Sequence, residues 1–140
     1  MDRRQRVTRL VEHARSPRHR GVIPDADVAM PGGSPECGGS VVVYLKADGD
    51  GGIAGLSFTG EGDTISQGAT DLAIEKVLGE RLSLEEVLAL GYDGFIEEIG
   101  RDVVGSRTRN ATLGLSTIKN AIRRYLRERD GRTPSRSASS

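Results

Sequence analysis

The chain has 140 residues, 36% of them apolar, with one cysteine and no tryptophan. That length supports one domain around one modest core, and a lone cysteine excludes an internal disulfide framework. Net charge is zero, yet the signs are segregated. Residues 1–20 hold seven arginines against Asp2 and Glu12, and residues 45–104 hold thirteen acids against Lys46, Lys76, Arg81 and Arg101. From Arg107 to Arg132 eight basic residues face Glu128 and Asp130. Only five aromatics are present, too few for the stacking platform and basic face of a nucleic-acid binder. The basic ends are expected to fold back over the acidic middle. No apolar run reaches the about 18 residues of a membrane span, and the Arg-rich first segment lacks a secretory signal's apolar core. A cytoplasmic protein is expected.

Val7, Leu10, Val11 and Ala14 recur at helical spacing, which predicts a helix over 4–15 that ends ahead of Pro17. Residues 22–39 are rich in Gly and Pro and read as a loop with a short strand near Val28–Met30. SVVVYLKA (40–47) is a β-branched run, ADGDGG (47–52) is turn chemistry, and IAGLSFTG (53–60) alternates like the second arm of a hairpin. After GEGD (60–63) the apolar period changes from two to 3.6. Ile65, Ala69, Leu72, Ala73, Val77 and Leu78 form one stripe, with Gly79 as a stop. Ser83 to Glu86 is a capping box for a short helix through Leu90, closed by Gly91. Tyr92–Ile99 reads as another short helix. Ala111, Leu115, Ile118, Ile122, Tyr125 and Leu126 make the longest stripe. The tail, residues 131–140, is small and polar and is expected to be disordered. Strands followed by helices predict an α+β fold, with helices packed on one face of a small sheet.

Three positions fall where element ends can converge. Cys37 precedes the first long strand, Asp63 starts a helix, and Asn110 starts the last helix. Asp63 and Asn110 both suit a helix N-cap. Cys37 sits in PECGG, a loop composition that argues for exposure, and both a chemical role and an inert thiol remain open for it. His13, on the first helix, and His19, in a basic loop, are assigned surface or packing roles rather than ligation.

HARSPRHRGVI (13–23) resembles the amino-terminal signature of the NifU/IscU/SufU scaffolds, which assemble iron–sulfur clusters. SPECGG (34–39), FTGEGDTIS (58–66) and RNATLGLSTIKNAI (109–122) resemble that family's three ligand loops, in order. The resemblance spans about residues 5 to 127. It implies a three-stranded, mostly antiparallel sheet of the SufE/NifU-like kind and one domain over residues 1–130. The family carries a cysteine in each loop, an aspartate shortly after the first, and in some branches a histidine beside the third. Here Cys37 alone is kept. Gly39 stands at the aspartate position, Asp63 at the second cysteine, Asn110 at the third, and Arg109 at the histidine. VVGSRTRN (103–110) replaces the hydrophobic chaperone-binding segment of bacterial IscU.

The resemblance therefore implies cofactor-binding positions Cys37, Asp63, Arg109 and Asn110, gathered at one end of the domain, with Cys37 and Asp63 as the metal ligands. Iron–sulfur clusters are commonly held by about four thiolates, and zinc by about four N, S or O ligands. One thiolate and one carboxylate per chain imply weak binding of an iron–sulfur cluster, iron or zinc, or none. Two functions follow from the resemblance. One is a degenerate or accessory assembly protein, not an enzyme and a monomer or weak homodimer, that receives sulfur or iron from a cysteine desulfurase or other assembly proteins. The other is a pseudo-scaffold that competes with a true scaffold without binding a cluster. A small thiol enzyme is disfavoured, because no histidine lies near Cys37 in sequence and Arg109 cannot act as a base.

Overall fold

The computed structural model describes residues 1–131. Helix α1 spans Arg3–Arg15, followed by strand β1 (Val28–Ser34), a single 3-10 turn (Pro35–Cys37), β2 (Gly39–Ala47) and β3 (Ile53–Gly62). Helices α2 (Thr64–Gly79), α3 (Leu84–Leu88), α4 (Tyr92–Ile99), α5 (Arg101–Val104) and α6 (Thr108–Gly131) complete the chain. Of the tail expected to be disordered, Gly131 closes α6 and the rest lies outside the described residues.

The sheet follows from the period of β2. Val41, Val43 and Leu45 are buried and alternate with half-buried Val42, Tyr44 and Lys46, because successive strand side chains point to opposite faces. The order is β1-β2-β3, antiparallel throughout, with Val43 paired to Met30 on one side and Phe58 on the other. Helices α2 and α6 cover the inner face, and α1 packs on α2. Phe58, Leu45, Ile74, Leu115, Ile118 and Ile122 are fully buried between these layers. The free edge of β3 is covered by the chain after α1, where Gly21 N–H donates to Phe58 O (2.8 Å) and Phe58 N–H donates to His19 O (3.0 Å).

The short strand expected at Val28–Met30 runs on to Ser34. Pro31, Gly32 and Gly33 are poor strand formers, but β1 is an edge strand, where proline is tolerated. At Gly32 a Cβ would overlap Thr117 of α6, so this glycine lets the helix lie close against the strand. Pairing with β2 and contact with α6 outweigh local propensity.

Helix α3 carries the expected capping box, with Ser83 Oγ accepting from Glu86 N–H (3.1 Å) and Glu86 Oε1 accepting from Ser83 N–H (2.8 Å). It ends at Leu88, two residues before the expected Leu90. The freed carbonyls of Leu88 and Leu90 both accept from the Lys119 ammonium of α6, which also lies 4.5 Å from the Tyr92 ring centroid. Burial, and then the neighbouring Arg123, lower the pKa of Lys119 below the ordinary lysine value. Lys119→Leu leaves two carbonyls without a donor, so urea unfolding is expected to show a loss of about 1–3 kcal/mol.

Opposite charges brought together from distant segments join the elements. Arg6 pairs with Asp102 of α5 at 2.8 Å, Arg18 with Glu75 of α2 at 3.2 Å, and Arg107 with Asp63 at 2.9 Å. The hydrogen-bonded Arg6 guanidinium holds the Asp102 carboxyl below its usual range. Both basic segments thus meet the acidic middle, as the charge segregation implied. His13 is buried, its Nδ1 donating to Asp71 Oδ2 at 2.5 Å, while Asp71 also accepts from the backbone N–H groups of Arg18 (3.2 Å) and His19 (2.8 Å). Asp71 is fully buried and ties the SPRHRG loop to α2.

Candidate functional site

Strand register joins the first two loops. Gly39 pairs with Gly62, so Gly38 and Asp63 stand side by side just beyond the paired ends, and Asp63 N–H donates to Gly38 O at 2.8 Å. Asp63 is the N-cap of α2, with extended backbone (φ −75°, ψ 170°) and Oδ1 accepting from Ser66 N–H at 2.7 Å. Capping satisfies a donor that the helix leaves free and sets a negative charge at the positive end of its dipole.

The third loop arrives with α6, which lies against β1 and β2. The Arg107 carbonyl accepts from Ala111 N–H (3.0 Å), so the helix opens at Thr108 and Asn110 occupies its third position. The N-cap role weighed for Asn110 is therefore replaced by a different one. Its Nδ2 donates to Asp63 Oδ2 at 2.9 Å and to Cys37 O at 3.3 Å. Arg107 also donates to Asp63 Oδ2, at 2.9 Å. No local pattern in the sequence marked Arg107, which stands three residues before Asn110 in a basic run.

Gly38 has φ +98°, and a Cβ there would stand 2.5 Å from Asn110 Nδ2 and 3.3 Å from Asp63 Oδ2. Both the left-handed backbone and the close approach call for glycine at this position. Cys37 is exposed, and a cavity of about 210 Å³ beside it is lined by Gly33, Gly39, Ser66, Arg109, Asn110 and Leu113. The structure thus brings Cys37, Asp63, Asn110 and Arg109 to one end of the domain. His13 and His19 stay with Asp71 and Glu75, about two and three helical turns along α2 from Asp63.

These donors do not match a conventional iron–sulfur or zinc shell. Asp63 has one oxygen engaged by Ser66 and the other by Asn110 and Arg107. The Asn110 amide presents N–H groups, not a lone pair, to the centre of the group, and the Arg107 guanidinium stands there too, on Asp63 Oδ2. Among the described residues no group of three or more His, Cys, Asp or Glu side chains is placed to hold a metal. What remains for chemistry is Cys37, exposed and lining the same cavity as Arg109.

The NifU-like N-terminal domain family profile matches residues 5–131. The iron–sulfur cluster assembly scaffold protein IscU of Thermotoga maritima is 33% identical over 111 residues, which cover 79% of this chain and 75% of that protein. A NifU-like protein (N-terminal) from Brucella abortus shares the fold, with a TM-score of 0.68 at 20% identity over 85% of this chain and 92% of that one. The putative scaffold protein for the SUF system from Fervidobacterium islandicum superposes with a TM-score of 0.60 at 21% identity, covering 81% and 93% of the two chains. A profile that takes in nearly the whole described chain, and a relative a third identical, place the protein: it belongs to the NifU-like N-terminal domain family.

Proposed function

We propose that this protein serves iron–sulfur cluster assembly as an accessory form of the scaffold, with Cys37 as its one sulfur-accepting, weakly metal-binding thiol. The observation that carries this reading is the exposure of Cys37 at the end where the three loops meet, in a cavity that Arg109 also lines. Family membership supplies the process, and the donor set argues for sulfur rather than a cluster as what the chain itself holds. A cysteine desulfurase is the partner this chemistry calls for. The Cys37 thiolate attacks the outer sulfur of the partner's persulfide, the partner's thiolate leaves, and Cys37 carries the persulfide away. Nothing is oxidised or reduced overall, and no catalytic residue of this chain is required.

The test is incubation with a cysteine desulfurase and free cysteine, followed by intact mass. One added sulfur is expected on the wild type and none on Cys37→Ser. A wild type that gains nothing, while a three-cysteine scaffold in the same mixture is modified, refutes the proposal. The engagement of Asp63 by Asn110 and Arg107 supports the second reading, a pseudo-scaffold. That reading expects the unmodified chain to bind a desulfurase and to slow cluster formation on a true scaffold.

A further inference from the structure

We propose that Asp63, Asn110 and Arg107 form a metal-free clasp that holds the three loops in one arrangement and keeps cations off Asp63. The inference starts from the misfit between the donor set and the metal or cluster the family implies. Asp63 is fixed through its backbone, whose N–H donates to Gly38 O (2.8 Å), and through both carboxylate oxygens. Asn110 spends its amide N–H groups on Asp63 Oδ2 and Cys37 O, one partner in each of the other two loops. Both partners are acceptors only, so the nitrogen face is the one orientation of this amide that fits. For a divalent ion to reach Asp63 Oδ2, it must displace a guanidinium and an amide donor together. The Arg107 pair alone would be a weak barrier, since its side chain is 58% exposed and exposed pairs contribute little. The half-buried Asn110 bridge is what makes the arrangement hold.

A metal that joins three loops orders them only while bound. A hydrogen-bonded clasp orders them at all times, so Cys37 meets a donor in the same geometry whether or not metal is present. This consequence for sulfur transfer rests on the assembly role proposed above. The clasp itself does not.

Amide hydrogen exchange and thermal unfolding of the full chain test it. Asp63→Asn keeps the helix cap, because Asn and Asp cap equally well, but it loses the charge and turns an amide donor toward Asn110 and Arg107. Exchange at residues 36–39 and 108–111 is expected to quicken roughly tenfold, the equivalent of about one lost hydrogen bond, while the later turns of α2 keep wild-type protection. Asn110→Ala, favourable to the helix itself, is expected to loosen the same loops and serves if Asp63→Asn does not fold. Wild-type exchange in these loops of the folded variants would overturn the clasp. The wild-type unfolding midpoint is expected to be the same with and without strong chelator, and any small rise in excess zinc or ferrous iron, through Cys37, is expected to persist unchanged in Asp63→Asn. A midpoint that rises with either metal, and no longer rises in Asp63→Asn, would make Asp63 a ligand and overturn the proposal. A chain that takes no sulfur but keeps its clasp refutes the assembly role alone. One that takes sulfur and binds zinc through Asp63 refutes the clasp alone.

Discussion

Asp71→Ala is expected to lower the unfolding free energy by about 3–5 kcal/mol, the loss typical of removing one partner from a buried pair. That is a large share of the roughly 5–15 kcal/mol that holds a domain together. Asp71 has no exposed surface, and it accepts from His13 Nδ1 and from the backbone N–H groups of Arg18 and His19. Alanine leaves these donors without a partner, and each buried one costs about 1–3 kcal/mol. Urea titration of the full chain reads the loss as a fall in midpoint at unchanged slope. The double variant His13→Phe, Asp71→Leu is expected to recover part of it, since an apolar pair of similar volume needs no compensation for lost hydration. A loss of less than about 1 kcal/mol in Asp71→Ala would fall within the range of an ordinary surface substitution and contradict the buried tether.

The second large effect is a gain. In the double variant Asp63→Cys, Asn110→Cys, the chain is expected to bind zinc with Kd on the order of 1 μM or tighter, about 8 kcal/mol of binding free energy. Three thiolates with an open fourth position make a recognised zinc geometry. The side-chain tips of residues 63 and 110 already meet at 2.9 Å, and Cys37 O lies 3.3 Å from the Asn110 amide. Replacing both residues also removes the clasp and with it the obstacle to a cation. Cobalt(II) absorption from thiolate coordination, together with a zinc-dependent rise in the unfolding midpoint, would report the site. A double variant that folds normally and binds neither ion would mean that the three loops do not converge as ligands, and the transfer of family positions to residues 37, 63 and 110 would fail.

Local chemistry determined much of the fold in advance. The alternation through Val41, Val43 and Leu45 specified a strand with one buried face, and Ser83 with Glu86 specified a helix start, because both signals lie within a few residues of the structure they make. The end of α3 and the length of β1 were decided from elsewhere in the chain. Lys119 reaches the carbonyls past Leu88 from α6, and β2 with α6 stabilises a Pro-Gly-Gly strand that propensity alone would leave as loop.

The candidate site divides the same way. That Cys37, Asp63 and Asn110 stand at element ends that can converge was legible from the element boundaries, and the capping role of Asp63 from its place ahead of an apolar helical stripe. What the sequence by itself could not determine was how those side chains are used. Asn110 is a bridge rather than a cap because α6 begins at Thr108, and Arg107 joins Asp63 across 44 residues of chain. Likewise, α2 hides Asp71 only because α1 and the following loop close over it. Hydrogen bonds and ion pairs between residues distant in sequence leave no periodic trace along the chain, so they emerge only when packing sets the distances.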